Sequence, residues 1–456
     1  MKARIEIFLN QLNAPADTAS LVLVRIVFGL LMFWSTISDF YFGWVTELYA
    51  KPQFHFQYEW FQWVKPFPEE VMYIIFGSQA VFSLMIALGL YYRVSAFLFF
   101  LGYTYIFLVE RTTYNNHFYL ICLLSFMLIL APLHRSWSLD VLRCSVEHTD
   151  SQPVLWLWIF RLHMGIVYFY GGLAKLDPDW LSGLATRKLL GEANRGTFLE
   201  PLIQYEFTSY FYAWSGVLFD LFIPFLMLWK KSRNLAFVAV FFFHFNNNFV
   251  FTIGIFPILA LTLTMIYYEA GFPRKLVPRQ IKKRISREYR KRIKDQKVTM
   301  TSDHRNVHPV LLISLGIYFM IQLLVPFRHL AYPGWTTWHE QGHDFAWRMM
   351  LRQKTSIGQF IVIHPETGEQ RYADPADYLN NVQLKFMGNP RTMLQFVHHL
   401  DQLVKSNAGF DPIIKANYEI SLNGREPRAL VDPAIDLSKI PVFEPSYRWV
   451  IPFGGM

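Results

Sequence analysis

The stretch Tyr168-Phe-Tyr-Gly-Gly-Leu-Ala-Lys175-Leu-Asp-Pro-Asp-Trp180 closes an apolar run that begins near Val154. The run is long enough to cross a membrane, and a lysine lies at its C-terminal end. An ammonium group is costly to desolvate there, so the apolar surroundings favour the neutral amine, which can act as a base. The alternative is that Lys175 extends its charged group to the membrane surface, as lysines at the ends of spans do.

Apolar segments like this one recur through the first three quarters of the chain. Of the 456 residues, 53% are hydrophobic and 17% are charged, against about 25% charged in a typical soluble domain. Runs that could each form a span of roughly 20 residues lie at about 20–43, 69–90, 94–110, 117–133, 154–175, 209–229, 234–250, 252–268 and 309–326. The seventh and eighth runs are short and adjacent, so they form either two spans or one span and a re-entrant piece. We predict a polytopic α-helical membrane protein with eight or nine transmembrane helices.

The net charge of +9 is concentrated in one segment. Gly271 to His308 contains 13 lysines and arginines and only three acidic residues. Such a run could bind nucleic acid, but beside apolar segments it is more typical of a cytoplasmic loop that contacts anionic lipid. If the N-terminus and the loop 271–308 are cytoplasmic, the other basic loops are cytoplasmic too, and residues 327–456 lie outside. The predicted partners therefore include the lipid bilayer and exclude nucleic acid.

Residues 327–456 have the pattern of a small folded domain. Alternating apolar residues on both sides of a turn predict β-hairpins over 357–372 and over 416–431. Asn-Pro begins a helical pattern over 389–405. We therefore predict a transmembrane domain over 1–326 and an extracytoplasmic α+β substrate domain over 327–456.

Three polar clusters lie at the predicted outer ends of apolar runs, where polar side chains are costly. They are Thr112-Thr113-Tyr114-Asn115-Asn116-His117, Lys175-Leu-Asp177, and His244 with Asn246, Asn247 and Asn248. Bundled helices would bring these clusters to one cavity below the outer domain. The structural alternatives are that the asparagines cap a helix and that His244 is a hydrogen-bonded core residue.

The remaining polar residues of the apolar runs suggest structural roles. Arg25 and Asp220 are expected to make internal ion pairs or hydrogen bonds. The sequence Trp338-His-Glu-Gln-Gly-His343 spaces two histidines four residues apart, but it is not the His-Glu-x-x-His pattern of zinc proteases. We predict no metal site.

Taken together, the chain resembles the vitamin K-dependent γ-glutamyl carboxylase family, with its bacterial-type, HTTM-like transmembrane domain. The lysine segment and the Asn-Asn-His segment are the most specific matches, and the matching pieces occur in family order across about residues 20–440. They are Arg25-Ile-Val-Phe-Gly29, Leu90-Tyr-Tyr-Arg93, Thr113-Tyr-Asn-Asn-His-Phe-Tyr-Leu120, Trp137-Ser-Leu-Asp140, the stretch 167–180, Phe243-His-Phe-Asn246, Ile253-Gly-Ile-Phe256, Trp347-Arg-Met-Met350 and Thr367-Gly-Glu369.

The resemblance implies a reaction. A lysine at position 175 deprotonates reduced vitamin K, a hydroquinone or menaquinol, and molecular oxygen then converts the quinol to its epoxide. A strongly basic oxygenated intermediate takes the γ-proton of a glutamate side chain, and the carbanion captures CO2 to give γ-carboxyglutamate. No metal takes part.

The resemblance also implies roles for individual residues. Lys175 and His117 are the predicted catalytic residues. A second group is predicted to bind the quinone, and a third to form the wall that faces an acidic, glutamate-containing peptide. The quinone group is Asn115, Asn116, His117, His244 and Tyr170. The peptide group is Trp338, His343, Trp347 and Arg348.

Two other functions are compatible with the same residues. One is a quinol epoxidase or oxidoreductase that does not carboxylate peptides. The other is a non-enzymatic protein that binds a quinone or another lipid. In each case the expected location is a bacterial inner membrane or an ER-like membrane.

Overall fold

The computed structural model describes residues 2–251, 253–278, 280 and 307–454. Most of the predicted cytoplasmic loop 271–308 lies outside these residues. Helices of ten or more residues are labelled α1 to α12 in chain order, and strands β1 to β6. The helices are α1 Lys2–Leu12, α2 Ala19–Tyr41, α3 Glu69–Leu88, α4 Tyr92–Val109, α5 Asn116–Leu130, α6 Leu155–Ala174, α7 Leu184–Ala193, α8 Glu206–Leu228, α9 Arg233–Phe251, α10 Phe256–Met265, α11 Pro309–Leu324 and α12 Pro390–Ala408.

Shorter elements connect these helices. The strands are β1 Pro15–Asp17, β2 Ser151–Pro153, β3 Lys354–Ile363, β4 Gln370–Ala373, β5 Ile413–Leu422 and β6 Arg428–Ala429. The short α-helices are Leu139–Leu142, Pro178–Leu181, Glu200–Ile203, Pro273–Leu276, Thr336–His339 and Asn381–Leu384. Thr46–Ala50 is a π-helix, and 3-10 turns lie at Arg111–Thr113, Val325–Ala331, Pro375–Asp377, Leu437–Lys439 and Ser446–Arg448.

Six helical segments of the described chain are long and apolar enough to cross a membrane. They are α2, α3, α4, α8, α9 and the segment Pro309–Ala331, which joins α11 to its 3-10 turn. Their outward faces carry exposed apolar side chains such as Phe222, Phe245 and Ile313, as expected where lipid covers the surface. The protein is therefore an integral membrane protein.

The predicted count of eight or nine spans is not confirmed. Two predicted runs form apolar helices shorter than a span, α5 with 15 residues and α10 with 10. Pro132 follows the last turn of α5, and Gly254, with φ of +72°, precedes α10. A third predicted run forms the 20-residue α6, which carries Arg161 and His163 and is not among the six.

The helical region has two distinct ends. At one end β1 pairs with β2 in an antiparallel ladder, and Arg25 donates to the carbonyl oxygens of Leu133 and Ser136. Arg161 donates to the carbonyl of Ile266 at this same end. The C-terminal region packs against the opposite end. Successive long helices from α2 to α11, apart from the short α7, run alternately between these two ends.

The C-terminal region is built on a four-stranded antiparallel sheet in the order β4-β3-β5-β6. The first predicted hairpin is confirmed, with Ile363 paired to Gln370, and so is the second, with Glu419 paired to Ala429. The predicted helix is α12, and the Asn389 side chain caps it as expected. The buried face of α12 packs on the sheet to form a separate apolar core.

Candidate functional site

One large cavity lies between the helices of the membrane region and extends to the C-terminal region. Its volume is about 2010 Å³. Most of its wall is apolar or aromatic, but side chains from all three predicted polar clusters reach it. The polar side chains in this wall include Asn115, His117, Lys175, Asp220 and His244.

Lys175 and Asp220 form a buried ion pair in the cavity wall. The Lys175 Nζ lies 2.5 Å from the Asp220 Oδ2, and the two side chains are 8% and 5% exposed. The same Nζ donates to the carbonyl of Gly171 at 3.3 Å, and it lies 5.3 Å from the centre of the Trp180 ring. The lysine therefore does not extend to the membrane surface. The internal ion pair expected for Asp220 is confirmed, but the sequence did not identify Lys175 as its partner.

Glycines on α6 allow this pairing. A Cβ atom on Gly172 would lie 2.7 Å from the Leu221 backbone nitrogen of α8, which real side chains essentially never do. A Cβ atom on Gly171 would meet the Met349 methyl at 2.7 Å and the Asp220 carboxylate at 3.4 Å. The close approach of α6 and α8 brings Lys175 within reach of a carboxylate 45 residues away in sequence.

The two histidines of the cavity share an aromatic neighbour. The His117 ring stacks on Phe256 with centroids 3.7 Å apart, and the His244 ring lies 5.8 Å from the same phenyl ring. The Nε2 of His244 is 2.8 Å from the Tyr168 hydroxyl. Among the described residues, no side chain or backbone group hydrogen-bonds to the His117 ring, so that imidazole can serve a ligand.

The other predicted cofactor residues are placed differently. Asn115 lines the cavity and also caps α5, because its Oδ1 accepts from the His117 backbone nitrogen at 2.8 Å. The Asn116 Oδ1 accepts from the Tyr114 hydroxyl, and the Tyr170 hydroxyl donates to the Leu323 carbonyl at 2.6 Å. Neither Asn116 nor Tyr170 lines the cavity.

The four residues predicted to face a peptide are all buried, and none of them lines the cavity. Trp338 donates to the Ile451 carbonyl within the C-terminal core, whereas Trp347 packs into the core of the helical region. His343 and Arg348 lie between the two regions. Met349 and Met350, which sequence reasoning left unassigned, line the cavity instead.

The loop that carries these residues has a strained backbone. Glu340, Phe345, Trp347 and Met350 all have φ between +55° and +60°, a conformation that side chains other than glycine rarely adopt. Such strain persists only where the surrounding contacts fix the chain, and it concentrates at functional sites. The loop is therefore held in one shape over the cavity.

Buried charges hold this loop. The Glu340 carboxylate lies 2.7 Å from the Lys354 Nζ and 2.5 Å from an Arg352 nitrogen. Burial opposes ionisation of Glu340, but these two cations lower its pKa to about 2. Burial, helped by the same cations, holds the pKa of His343 well below its usual range, so this imidazole is neutral.

The residues just after Lys175 join the helical region to the C-terminal region. The Asp177 Oδ2 accepts from the Trp335 Nε1 at 2.9 Å and from the Thr337 hydroxyl at 2.7 Å. The fully buried Asp179 pairs with Arg425. The sequence signal for this role was the presence of two carboxylates beside one buried lysine, because ionised carboxylates accept hydrogen bonds and need more donors than one cation supplies.

Two family matches cover nearly the whole chain. Residues 13–272 match the HTTM domain, and residues 307–455 match the lumenal domain of vitamin K-dependent gamma-carboxylase. No solved structure matches the chain. The first match covers the helices that carry Lys175, Asp220 and both histidines, and the second covers the strained loop and the sheet. The chain belongs to the vitamin K-dependent gamma-carboxylase family.

Proposed function

We propose that this protein is a membrane carboxylase that couples oxidation of reduced vitamin K or a menaquinol to its epoxide with carboxylation of glutamate side chains. The observation that carries the proposal is the Lys175–Asp220 pair in the wall of a large cavity within the membrane region. A buried amine with a carboxylate partner can take a proton without leaving an isolated charge in the membrane.

The cavity fits a quinol. Ligand sites for apolar molecules have mostly apolar walls with a few polar groups that fix orientation. Here the flat stack of His117 on Phe256 offers an aromatic wall, and the His117 ring nitrogens lack a protein partner among the described residues. The volume of about 2010 Å³ exceeds the 300–1,000 Å³ typical of small-molecule pockets, which leaves room for an isoprenoid chain and a glutamate side chain.

The protein groups would act as follows. Before the reaction Lys175 is a neutral amine that is hydrogen-bonded to Asp220. It takes a proton from a phenolic hydroxyl, and the Asp220 carboxylate forms an ion pair with the ammonium that results. His117 and His244 hydrogen-bond to the oxygens on which negative charge develops. When bound, the quinol supplies electrons to molecular oxygen and the strong base that glutamate deprotonation requires. Met349 and Met350 keep water from the cavity beneath the C-terminal region.

The proposal includes a membrane arrangement. The N-terminus and the loop 271–308 are cytoplasmic, and the C-terminal domain, with its boundary near residue 327, is extracytoplasmic. All nine long helices between α2 and α11 other than α7 cross or enter the bilayer. The lumenal name of the matched domain and the placement of Arg25 and Arg161 at the opposite end support this orientation.

A first experiment measures both products in one reaction. Purified protein in lipid receives reduced vitamin K, oxygen, labelled bicarbonate and a glutamate-containing peptide. We expect epoxide and labelled peptide from the native protein and neither product from Lys175→Ala. The matched control is Lys188→Ala, because Lys188 pairs with Glu192 outside the cavity. Equal activity of Lys175→Ala and Lys188→Ala would contradict the proposal.

A quinol epoxidase without peptide carboxylation is the second candidate. One observation in its favour is that the residues predicted to face a peptide are buried, namely Trp338, His343, Trp347 and Arg348. A second is that the cavity has few cations, because Lys175 is the one lysine or arginine among its described lining residues. A peptide carboxylate would need its own cation there. Epoxide without labelled peptide, from several glutamate-containing peptides, would support this candidate.

A further inference from the structure

The segment from Lys175 to Trp180 is fixed on both of its sides. Helix α6 ends at Ala174, and Lys175 is its C-terminal cap. Asp177 begins the next helix by accepting from the Asp179 backbone nitrogen at 3.1 Å. Trp180, under the lysine, donates to the Ala213 carbonyl of α8. One residue separates Lys175 from Asp177, so a shift of one moves the other.

Asp177 is the point where the C-terminal region holds this segment. Its carboxylate is 5% exposed and receives hydrogen bonds from Trp335 and Thr337, both of the C-terminal region. The Arg348 guanidinium lies 3.9 Å from the same oxygen and 3.4 Å from the Thr337 hydroxyl. Three side chains of one region thus converge on one carboxylate oxygen of the other.

Asp179 provides a second attachment two residues further on. Its carboxylate accepts from Arg425 at 2.5 Å and from the Asn423 Nδ2 at 2.9 Å. Both partners lie in the turn between β5 and β6. The C-terminal region therefore contacts the lysine segment from two separate parts of its own fold.

We propose that Asp177 is a positioning residue through which the C-terminal region holds Lys175 against Asp220. The inference rests on the proposed function, in which Lys175 is the base. All the groups proposed to take part in epoxide formation lie in the helical region. The positioning role of Asp177 would make their activity depend on how the C-terminal region packs against that region. Asp177 itself does not contact the cavity and takes no part in proton transfer.

Thr337 is the best residue for testing this role. It is completely buried, and valine has nearly its shape but lacks the hydroxyl that donates to Asp177. Small errors in the position of a catalytic group reduce rates by one or two orders of magnitude. We therefore expect Thr337→Val to slow epoxide formation about tenfold.

The first measurement compares two backgrounds. Both backgrounds are full chains in lipid. In the first, which has the native Lys175, Thr337→Val should slow epoxide formation. In the second, Lys175→Ala supplied with a small soluble amine, adding Thr337→Val should leave the rate of epoxide formation unchanged. An added amine positions itself, so it does not need Asp177. If Thr337→Val slows both backgrounds equally, or neither, the positioning role is refuted.

The second measurement needs no turnover. Reaction of Lys175 with a small amine-directed reagent, followed by peptide mass spectrometry, should rise several-fold in Thr337→Val, while Lys188 reacts as before. The matched control is Gln395→Met, which removes two hydrogen bonds to the Gln57 backbone elsewhere between the same two regions. Unchanged labelling of Lys175, or an equal rise in Gln395→Met, would refute the inference.

If Lys175→Ala forms epoxide at the native rate while the labelling behaves as expected, the proposed function fails and the positioning contact stands.

Discussion

Replacement of Asp220 by asparagine tests the ion pair most directly. Asparagine keeps the size of the side chain and an oxygen that can accept from the Lys175 Nζ, but it removes the negative charge. The two side chains are almost completely buried, so water cannot replace the lost charge. The ammonium form of Lys175, which is the product of proton abstraction, would then stand alone in an apolar wall.

The size of the effect follows from this burial. Removing one partner of a buried ion pair typically costs about 3–5 kcal/mol, because the other charge is left uncompensated. If this cost falls on the proton-transfer step, epoxide formation slows by about two hundredfold to five thousandfold. The folded protein avoids much of the penalty, because Lys175 can release its proton before the reaction begins. We therefore expect a large loss of rate with a small loss of stability.

Initial rates of epoxide formation in lipid nanodiscs measure this loss, with thermal unfolding as the check on stability. Asp39→Asn is the matched control, because Asp39 is another carboxylate of the same cavity and Lys175 pairs with Asp220 instead. The double variant Lys175→Ala with Asp220→Asn should be no slower than Lys175→Ala alone, since the two residues act as a unit. A near-native rate in Asp220→Asn, or additive losses in the double variant, would refute the reasoning.

Two further predictions concern stability. Gly172→Ala forces α6 and α8 apart and should lower the free energy of unfolding by about 1–3 kcal/mol. The control Gly77→Ala should not, because nothing lies within 4 Å of a Cβ atom at that position. Thermal unfolding of both variants in detergent measures the difference. Glu340→Gln leaves Lys354 without its anion and should cost about 3 kcal/mol at neutral pH. The pKa of Glu340 is about 2 in the folded protein, against an ordinary 4.5. Its contribution to stability is therefore complete above pH 4.5 and is lost as the pH falls toward 2. Denaturant titrations across that range should show that the native protein loses stability more steeply with acid than Glu340→Gln does.

Much of the C-terminal fold could be predicted because its signals are local. Alternation with period two gave both hairpins, and Asn389 before Pro390 marked the start of α12. The number of spans in the helical region was harder to predict, because the mean hydropathy of a run does not depend on whether its backbone is helical throughout. Pro132 and Gly254 lie near one end of two such runs, and the helices there, α5 and α10, are shorter than a span.

The site was predictable where polarity itself was the signal. Lys175, His117 and His244 stand out as costly groups in apolar surroundings, and the structure brings all three to one cavity. Their partners were hidden, because the pairing of Lys175 with Asp220 depends on how closely two helices approach. The roles predicted for Trp338 and Trp347 came from resemblance alone, and their burial in two different cores follows from packing that one sequence does not reveal.

The distance along the chain between Asp179 and Arg425 has a consequence for biosynthesis. The two residues are 246 positions apart, whereas Lys175 and Asp220 are only 45 apart. Domains generally fold in the order of their synthesis, N-terminal first. The nascent chain can therefore pair its lysine early. Asp177 must wait for Trp335 and Thr337, and Asp179 must wait for the turn between the last two strands. A chain that ends before residue 335 would therefore leave both carboxylates without the donors that hold them in the folded protein.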